Sequence, residues 1–87
     1  MAVSDDELAA LVEEELDQAL AMSWTEASRI TPWGDSYVGF TASGAEVQIE
    51  RNYLWEGEGE AIRIEVSVRP VGARTAEAVA SVTIPRP

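Results

Sequence analysis

The first 22 residues repeat their apolar positions at spacings of three and four, as one face of an amphipathic helix does. The apolar stripe consists of Leu8, Leu11, Val12, Leu16, Ala19 and Leu20. Ser4 and Glu7 occupy the N-cap and N3 positions of a capping box, and Val3 and Leu8 match a hydrophobic staple. The pattern therefore predicts a helix over about residues 5–22.

Glu15 interrupts the apolar stripe, because at about 100° per residue it falls between Leu8 and Leu11. A carboxylate in that position must reach water, pair with a cation or lose its charge. The favoured interpretation is a residue at the stripe edge whose stem packs while its head reaches solvent. Pairing with an Arg from the predicted sheet is the alternative. A catalytic acid ranks third, because the sequence offers no identifiable second catalytic group.

Beyond residue 22 the apolar positions alternate with a period of two, which is typical of half-buried strands. The predicted strands cover residues 25–31, 36–42, 46–55, 60–69 and 75–84. Residues 74–80 are rich in Ala and also fit a helix by propensity, but the β-branched residues that follow favour a strand. We predict one α+β domain, residues 1–87: an N-terminal amphipathic helix packed on one face of a four- or five-stranded antiparallel β-meander.

Strand parity also predicts which aromatic side chains enter the core. Phe40 and Trp55 share parity with Val38 and Val47, so we expect both rings to be buried. Trp33 lies in a predicted turn and has no periodic partner. Since Trp is enriched at binding hot spots, Trp33 is the best aromatic candidate for a contact residue. A ring that folds back to cap the core is the alternative, with equal weight.

Composition narrows the functional classes. The 87 residues include sixteen Asp and Glu against six Arg, with no Lys, His or Cys, which gives a net charge of −10. The missing His and Cys exclude disulfides, thiol nucleophiles, Ser-His triads and His-ligated metals. The acidic balance argues against direct nucleic-acid binding, because phosphate contacts need Lys and Arg. With no nucleotide-binding motif and little room for a pocket, we expect no enzyme activity, cofactor or metal.

The distribution of hydrophobic and charged residues bears on location. No apolar run approaches the roughly 20 residues that span a bilayer. The chain starts with acidic residues where a signal peptide has a basic region. We therefore expect a cytoplasmic protein without membrane association.

Negative charge is concentrated in the first sixty residues, which hold fourteen acids and two Arg. Complementary charge accelerates association and selects the partner, while aromatic anchors supply affinity. The candidate partner-binding residues are Asp6, Glu13, Glu14, Asp17, Trp33, Asp35, Glu56, Glu58 and Glu60.

These features indicate a non-enzymatic acidic module that binds a basic protein surface. In a stronger version, ordered carboxylates imitate phosphates and occupy the groove of a nucleic-acid-binding protein. In size and charge the chain resembles small phage-encoded inhibitors of bacterial defence, including anti-CRISPR proteins. One alternative is an assembly subunit that self-associates, for example as a homodimer, through a sheet edge or an apolar face. Another is a small carboxylate-and-Arg enzyme, which a deep pocket at Glu15 and Arg51 would support.

Overall fold

The computed structural model describes residues 4–58, 60–72 and 77–87. Within them lie α1 (Asp5–Leu20), α2 (Trp24–Ile30), β1 (Trp33–Phe40), β2 (Glu46–Glu56), β3 (Ala61–Pro70) and β4 (Ala78–Ile84). The strands form one antiparallel sheet in the order β1-β2-β3-β4, and α1 packs against β3 and β4. The predicted α+β fold, with an N-terminal helix on an antiparallel meander, is confirmed.

Helix α1 begins at the predicted cap. The Ser4 Oγ accepts a hydrogen bond from the Glu7 backbone N–H at 3.2 Å. The Glu7 carboxylate accepts one from the Ser43 Oγ at 2.9 Å, which ties the start of the helix to the β1–β2 loop. The helix ends at Leu20, two residues before the predicted end. Val3 of the predicted staple lies outside the described residues.

The segment predicted as a first strand, residues 25–31, is helical instead and forms α2. A complete capping box starts this helix: the Ser23 Oγ accepts from the Glu26 N–H at 3.1 Å, and the Glu26 carboxylate accepts from the Ser23 N–H at 3.2 Å. Ala27 on the inner face is fully buried. The strand prediction is wrong because capping and burial outweigh the weak β-propensity of so short a segment.

Strand β1 starts three residues before the predicted strand 36–42 and includes Trp33, so the turn predicted there is wrong. Trp33 pairs with Tyr53, which places the odd-numbered residues of β1 on the helix side of the sheet. Phe40 pairs with Glu46 on the open side and is 61% exposed. The prediction that Phe40 is buried is wrong, because the core-facing parity of β1 is set by its register with β2.

The remaining strands follow the predicted alternation, with ends shifted by one residue in β2 and β3. Residues 75 and 76 of the last predicted strand lie outside the described residues, and β4 begins at Ala78.

Trp55 is on the predicted face but is 38% exposed, with its ring centroid 6.0 Å from that of Trp24. It lies at the margin of the core, so its predicted burial is wrong. The buried apolar residues are Leu8, Val12, Ala19, Ala27, Val47, Ile49, Tyr53, Ile62, Ile64, Val66 and Val68.

Neither helix in the described part of the chain combines the length and the apolar character needed to cross a membrane.

Candidate functional site

A polar cluster lies beneath α1, where the helix meets the sheet. The Glu15 carboxylate forms an ion pair with Arg51 on β2, and the Tyr37 hydroxyl on β1 donates to the same oxygen. The Arg51 guanidinium also donates to the Gln18 Oε1 at 3.3 Å and to the Tyr53 Oη at 3.4 Å. The side chains of Glu15 and Arg51 are only 10% and 16% exposed. The expectation that Glu15 reaches solvent is therefore wrong, and the alternative, pairing with an Arg of the sheet, is correct.

The protonation states of this cluster follow from its surroundings. Burial and the hydrogen bond to Glu15 raise the pKa of Tyr37 to about 12, so the hydroxyl remains a donor at neutral pH. Burial alone would lower the pKa of Arg51, but its hydrogen bonds with Tyr53 and Glu15 raise the pKa above the usual value. The Glu15 carboxylate thus pairs with the Arg51 guanidinium and the Tyr37 hydroxyl, although the buried Nε of Arg51 has no hydrogen-bond partner among the described residues. The chemistry of the cluster holds α1 on the sheet.

The opposite face of α1 carries carboxylates. Asp6, Glu13, Glu14 and Asp17 are all exposed, and we call these four residues the acidic ridge. Helix α1 contains no Lys or Arg, and none of the ion pairs formed by the described residues involves the ridge. At 1.5 Å per residue, the ridge extends over roughly 17 Å of the helix axis. It presents unneutralised negative charge on a regular, capped element.

The open face of the sheet differs in charge from the helix side. Arg63 lies 3.3 Å from Glu65, and Arg69 lies 3.8 Å from Glu50. Arg63 and Arg69 therefore each have an acidic neighbour, whereas no ion pair within the described ranges includes a residue of the acidic ridge. Exposed pairs of this kind contribute little stability, but they reduce the local potential. Among the described residues, the exposed ion pairs that offset negative charge thus lie on the open face of the sheet and not on the outer side of α1.

A groove of about 430 Å³ runs between α1 and the end of β1, and we call it the α1–β1 groove. Its lining includes the apolar residues Ala10, Leu11, Phe40 and Ala42 and the ridge residues Asp6 and Glu14. Apolar surface beside carboxylates suits the side chains of Lys and Arg, which pack their methylene stems and keep the charged head near an anion. The groove thus adds an apolar contact surface to the acidic ridge.

Two of the predicted contact residues lie on β1, beside the polar cluster. Trp33 is 45% exposed, and its ring centroid is 5.6 Å from that of Tyr53. Asp35 is exposed and pairs with Arg51 across the β1–β2 ladder. Trp33 thus offers a half-exposed ring that is held by a buried neighbour, and its contact role remains a prediction.

The other predicted carboxylates, Glu56, Glu58 and Glu60, lie at the hairpin that joins β2 to β3. All three are exposed. The Glu56 carboxylate accepts a hydrogen bond from the Thr83 Oγ1 at 2.8 Å, and the Glu60 carbonyl accepts one from the Trp24 Nε1 at 3.2 Å. This hairpin is at the opposite end of the sheet from the loop that contacts the start of α1.

The nine predicted site residues therefore fall into three groups: the acidic ridge, the β1 pair and the hairpin carboxylates. Sequence reasoning missed Phe40 and Leu11 as lining residues, because both were assigned to the core. The signal that reveals Phe40 is the register of β1, which the alternation of that strand alone does not fix.

No protein-family model matches the sequence, and the chain has no match among curated proteins or solved structures. Across residues 4–58, 60–72 and 77–87, no three acidic side chains are grouped so that they could hold a metal ion.

Proposed function

We propose that this protein is a non-enzymatic acidic module that binds a basic surface of another protein through the acidic ridge and the α1–β1 groove. The observation that carries the proposal is the exposed, unneutralised set of carboxylates on one face of α1. Because this face is part of a capped helix packed on the sheet, binding would require little ordering of the backbone. The hairpin carboxylates and Trp33 would form secondary contacts.

The charge of the ridge supports a basic partner. Carboxylates without neighbouring cations raise the rate at which a positively charged protein associates and exclude acidic competitors. Electrostatics alone gives modest affinity, so an apolar contact is needed as well. Ala10 and Leu11, which line the α1–β1 groove together with Glu14, supply such a contact.

The stronger form of the proposal is mimicry of nucleic acid. Along the axis of α1, Glu13 and Asp17 lie about 6 Å apart and Asp6 lies about 10 Å before Glu13, which gives a line of negative charge. A groove that binds nucleic acid has clustered Lys and Arg side chains that would accept such an array. The partner in this form is a nucleic-acid-binding protein, and the module excludes its ligand by occupying the groove.

The test starts from capture with the full chain as immobilised bait, followed by measurement of the affinity of the purified partner. Between about 0.05 and 0.2 M NaCl we expect the affinity to fall at least about tenfold, as for other multi-charge contacts. Competition with double-stranded DNA or RNA then distinguishes nucleic-acid mimicry from binding to another kind of basic surface. Displacement by nucleic acid supports mimicry, whereas salt sensitivity without displacement supports a basic site of another kind.

A matched pair of charge reversals locates the contact. Replacing Glu13, Glu14 and Asp17 with Lys should weaken binding at least about tenfold more than replacing Glu56, Glu58 and Glu60 with Lys. Both triple variants have the same net charge, so a difference between them reports position. Equal affinities of the two variants, or binding indifferent to salt, would overturn the proposal.

A further inference from the structure

Strand β4 forms one edge of the sheet, and its outer side faces no strand among the described residues. From Ala78 to Ile84 it contains no charged residue, Pro or Gly. Natural sheets protect exposed edges with charges, Pro or bulges. The other edge strand, β1, contains an Asp and two Gly within its own span. Of the two edges, β4 is therefore the one suited to pairing with another strand.

We propose that β4 pairs antiparallel with β4 of a second copy of this chain, about a two-fold axis at Ser81. In this register every residue keeps its face of the sheet, because facing positions have the same parity. The facing pairs are Ala78 with Ile84, Ala80 with Val82, Val79 with Thr83, and Ser81 with its own copy. No charge meets a charge, and on the helix side a small residue always faces a larger one. The edge is thus complementary to itself.

The side of α1 next to β4 extends this contact surface. A groove of about 270 Å³ lies between the two elements, and Ala9, Leu16 and Ala80 are among its lining residues. Leu20, one turn beyond Leu16, is 46% exposed. These residues form an uncovered apolar stripe beside the open strand edge. A second copy docked on β4 would cover them.

The spacing of strands and helices is compatible with such a dimer. Strands pair about 4.8 Å apart, so a helix lying over β3 and β4 would be roughly 5 Å from the two-fold axis. The two α1 helices would then lie about 10 Å apart, near the distance at which helices pack. Ala9 and Leu16 would meet their counterparts there. The α1–β1 groove is on the other side of α1 and stays open, so each copy could still bind its basic partner.

Charge gives this dimer a distinctive salt dependence. Each copy has a net charge of −10, and Glu13 lines the groove that the second copy would cover. Salt screens this repulsion, so dimerisation should strengthen as the NaCl concentration rises. Binding to a basic protein should weaken over the same range. Failure of one proposal can therefore be distinguished from failure of the other.

Disulfide trapping tests the register, because the chain has no Cys of its own. Residues that face each other directly in an antiparallel pair have Cα separations within the range that a disulfide accepts. Under mild oxidation, Ser81→Cys should form a covalent dimer at least about tenfold faster than Ser67→Cys, since the interface raises the local concentration of the two thiols. Ser67 is the matched control, because it lies on the same open face but on the inner strand β3.

Sedimentation of the unmodified chain provides the second measurement. As the protein concentration or the NaCl concentration increases, the average mass should rise towards the mass of two chains. Ser81→Lys should lower the average mass to that of the monomer, because two Lys would face each other across the two-fold axis. The fold of each copy should be preserved, because Glu65 on β3 is opposite position 81 and can pair with the new Lys. Equal trapping of the two Cys variants, or a monomer at every concentration and salt, would overturn the proposal.

Discussion

Glu15 of α1 and Arg51 of β2 form an ion pair beneath the helix, although each residue occupies an apolar position in the pattern of its own element. Arg51 shares its face of the sheet with Ile49 and Tyr53, and Glu15 lies on the buried side of α1. A single buried charge in either element would be costly, whereas the two neutralise each other. The pair fixes where α1 sits on the sheet, and the remaining carboxylates of the helix stay on its outer side.

Breaking this pair should destabilise the protein. Glu15→Gln leaves the Arg51 charge partly buried without its anion, so we expect the free energy of unfolding to fall by about 2–4 kcal/mol. Urea unfolding followed by Trp fluorescence measures the change. The double variant Glu15→Leu/Arg51→Met removes both charges and should recover most of the loss. If the losses measured for Glu15→Leu and for Arg51→Met separately simply add in the double variant, the two side chains are not coupled.

Tyr37 should make stability decline at alkaline pH. Its folded pKa of about 12 lies above the value of about 10 expected for the unfolded chain. As pH rises, the hydroxyl therefore ionises in the unfolded state before it ionises in the folded state. The contribution of Tyr37 to the free energy of unfolding is thus complete below pH 10 and is lost as pH rises from about 10 to 12. Urea midpoints measured across this range should fall less for Tyr37→Phe than for the parent. Tyr53→Phe is the control and should retain the decline.

The exposure of Phe40 predicts a small effect on stability. Phe40→Ala should change the free energy of unfolding by no more than about 0.5 kcal/mol, as at other surface positions. Ile49 is only 3% exposed, so Ile49→Ala should lower the free energy of unfolding by about 2–5 kcal/mol. The same urea experiment compares them. A loss of several kcal/mol at Phe40 would mean that its ring is in the core, as strand alternation alone suggested.

The helix and most strands could be predicted from the periodicity of their apolar residues. The 3.6-residue period of α1 and the alternation of β2 and β3 were sufficient to predict these elements and their buried faces, because the helix and the sheet each bury one face against the other. For β1, alternation gave a strand but assigned its faces wrongly, since only pairing with β2 decides which side is covered. The capping box of Ser23 and Glu26 was present in the sequence, and giving it more weight than β-propensity would have identified α2.

The candidate site was less predictable than the fold. The position of Glu15 in an apolar stripe and of Arg51 in an apolar strand face were two visible anomalies, and each explains the other in the structure. The α1–β1 groove left no such signal, because it depends on how far α1 lies from the end of β1. Lining residues such as Leu11 and Ala42 have ordinary apolar or turn positions in the sequence. The shape of a surface between two elements requires their packing, which no local pattern specifies.

The acidic ridge should make the stability of the protein depend on salt. Glu13 and Asp17 are one helical turn apart, so their like charges destabilise α1, and the net charge of −10 adds repulsion across the whole fold. Raising NaCl from about 0.05 to 0.5 M should therefore increase the urea midpoint of the parent chain. The variant with Gln at positions 13 and 14 and Asn at position 17 removes these charges without creating a new like-charge pair, so its urea midpoint should be higher at low salt and should rise less with added salt.

This experiment needs a low protein concentration, because salt would also promote the proposed dimer and stabilise it by mass action. The variant with Gln at positions 56, 58 and 60 is the matched control, because its net charge equals that of the neutralised ridge variant. It relieves the same net charge at the hairpin but leaves the repulsion between Glu13 and Asp17, so it should keep more of the salt dependence than the ridge variant. Equal salt responses of the two variants would show that net charge, and not the arrangement of carboxylates on α1, governs the stability of the fold.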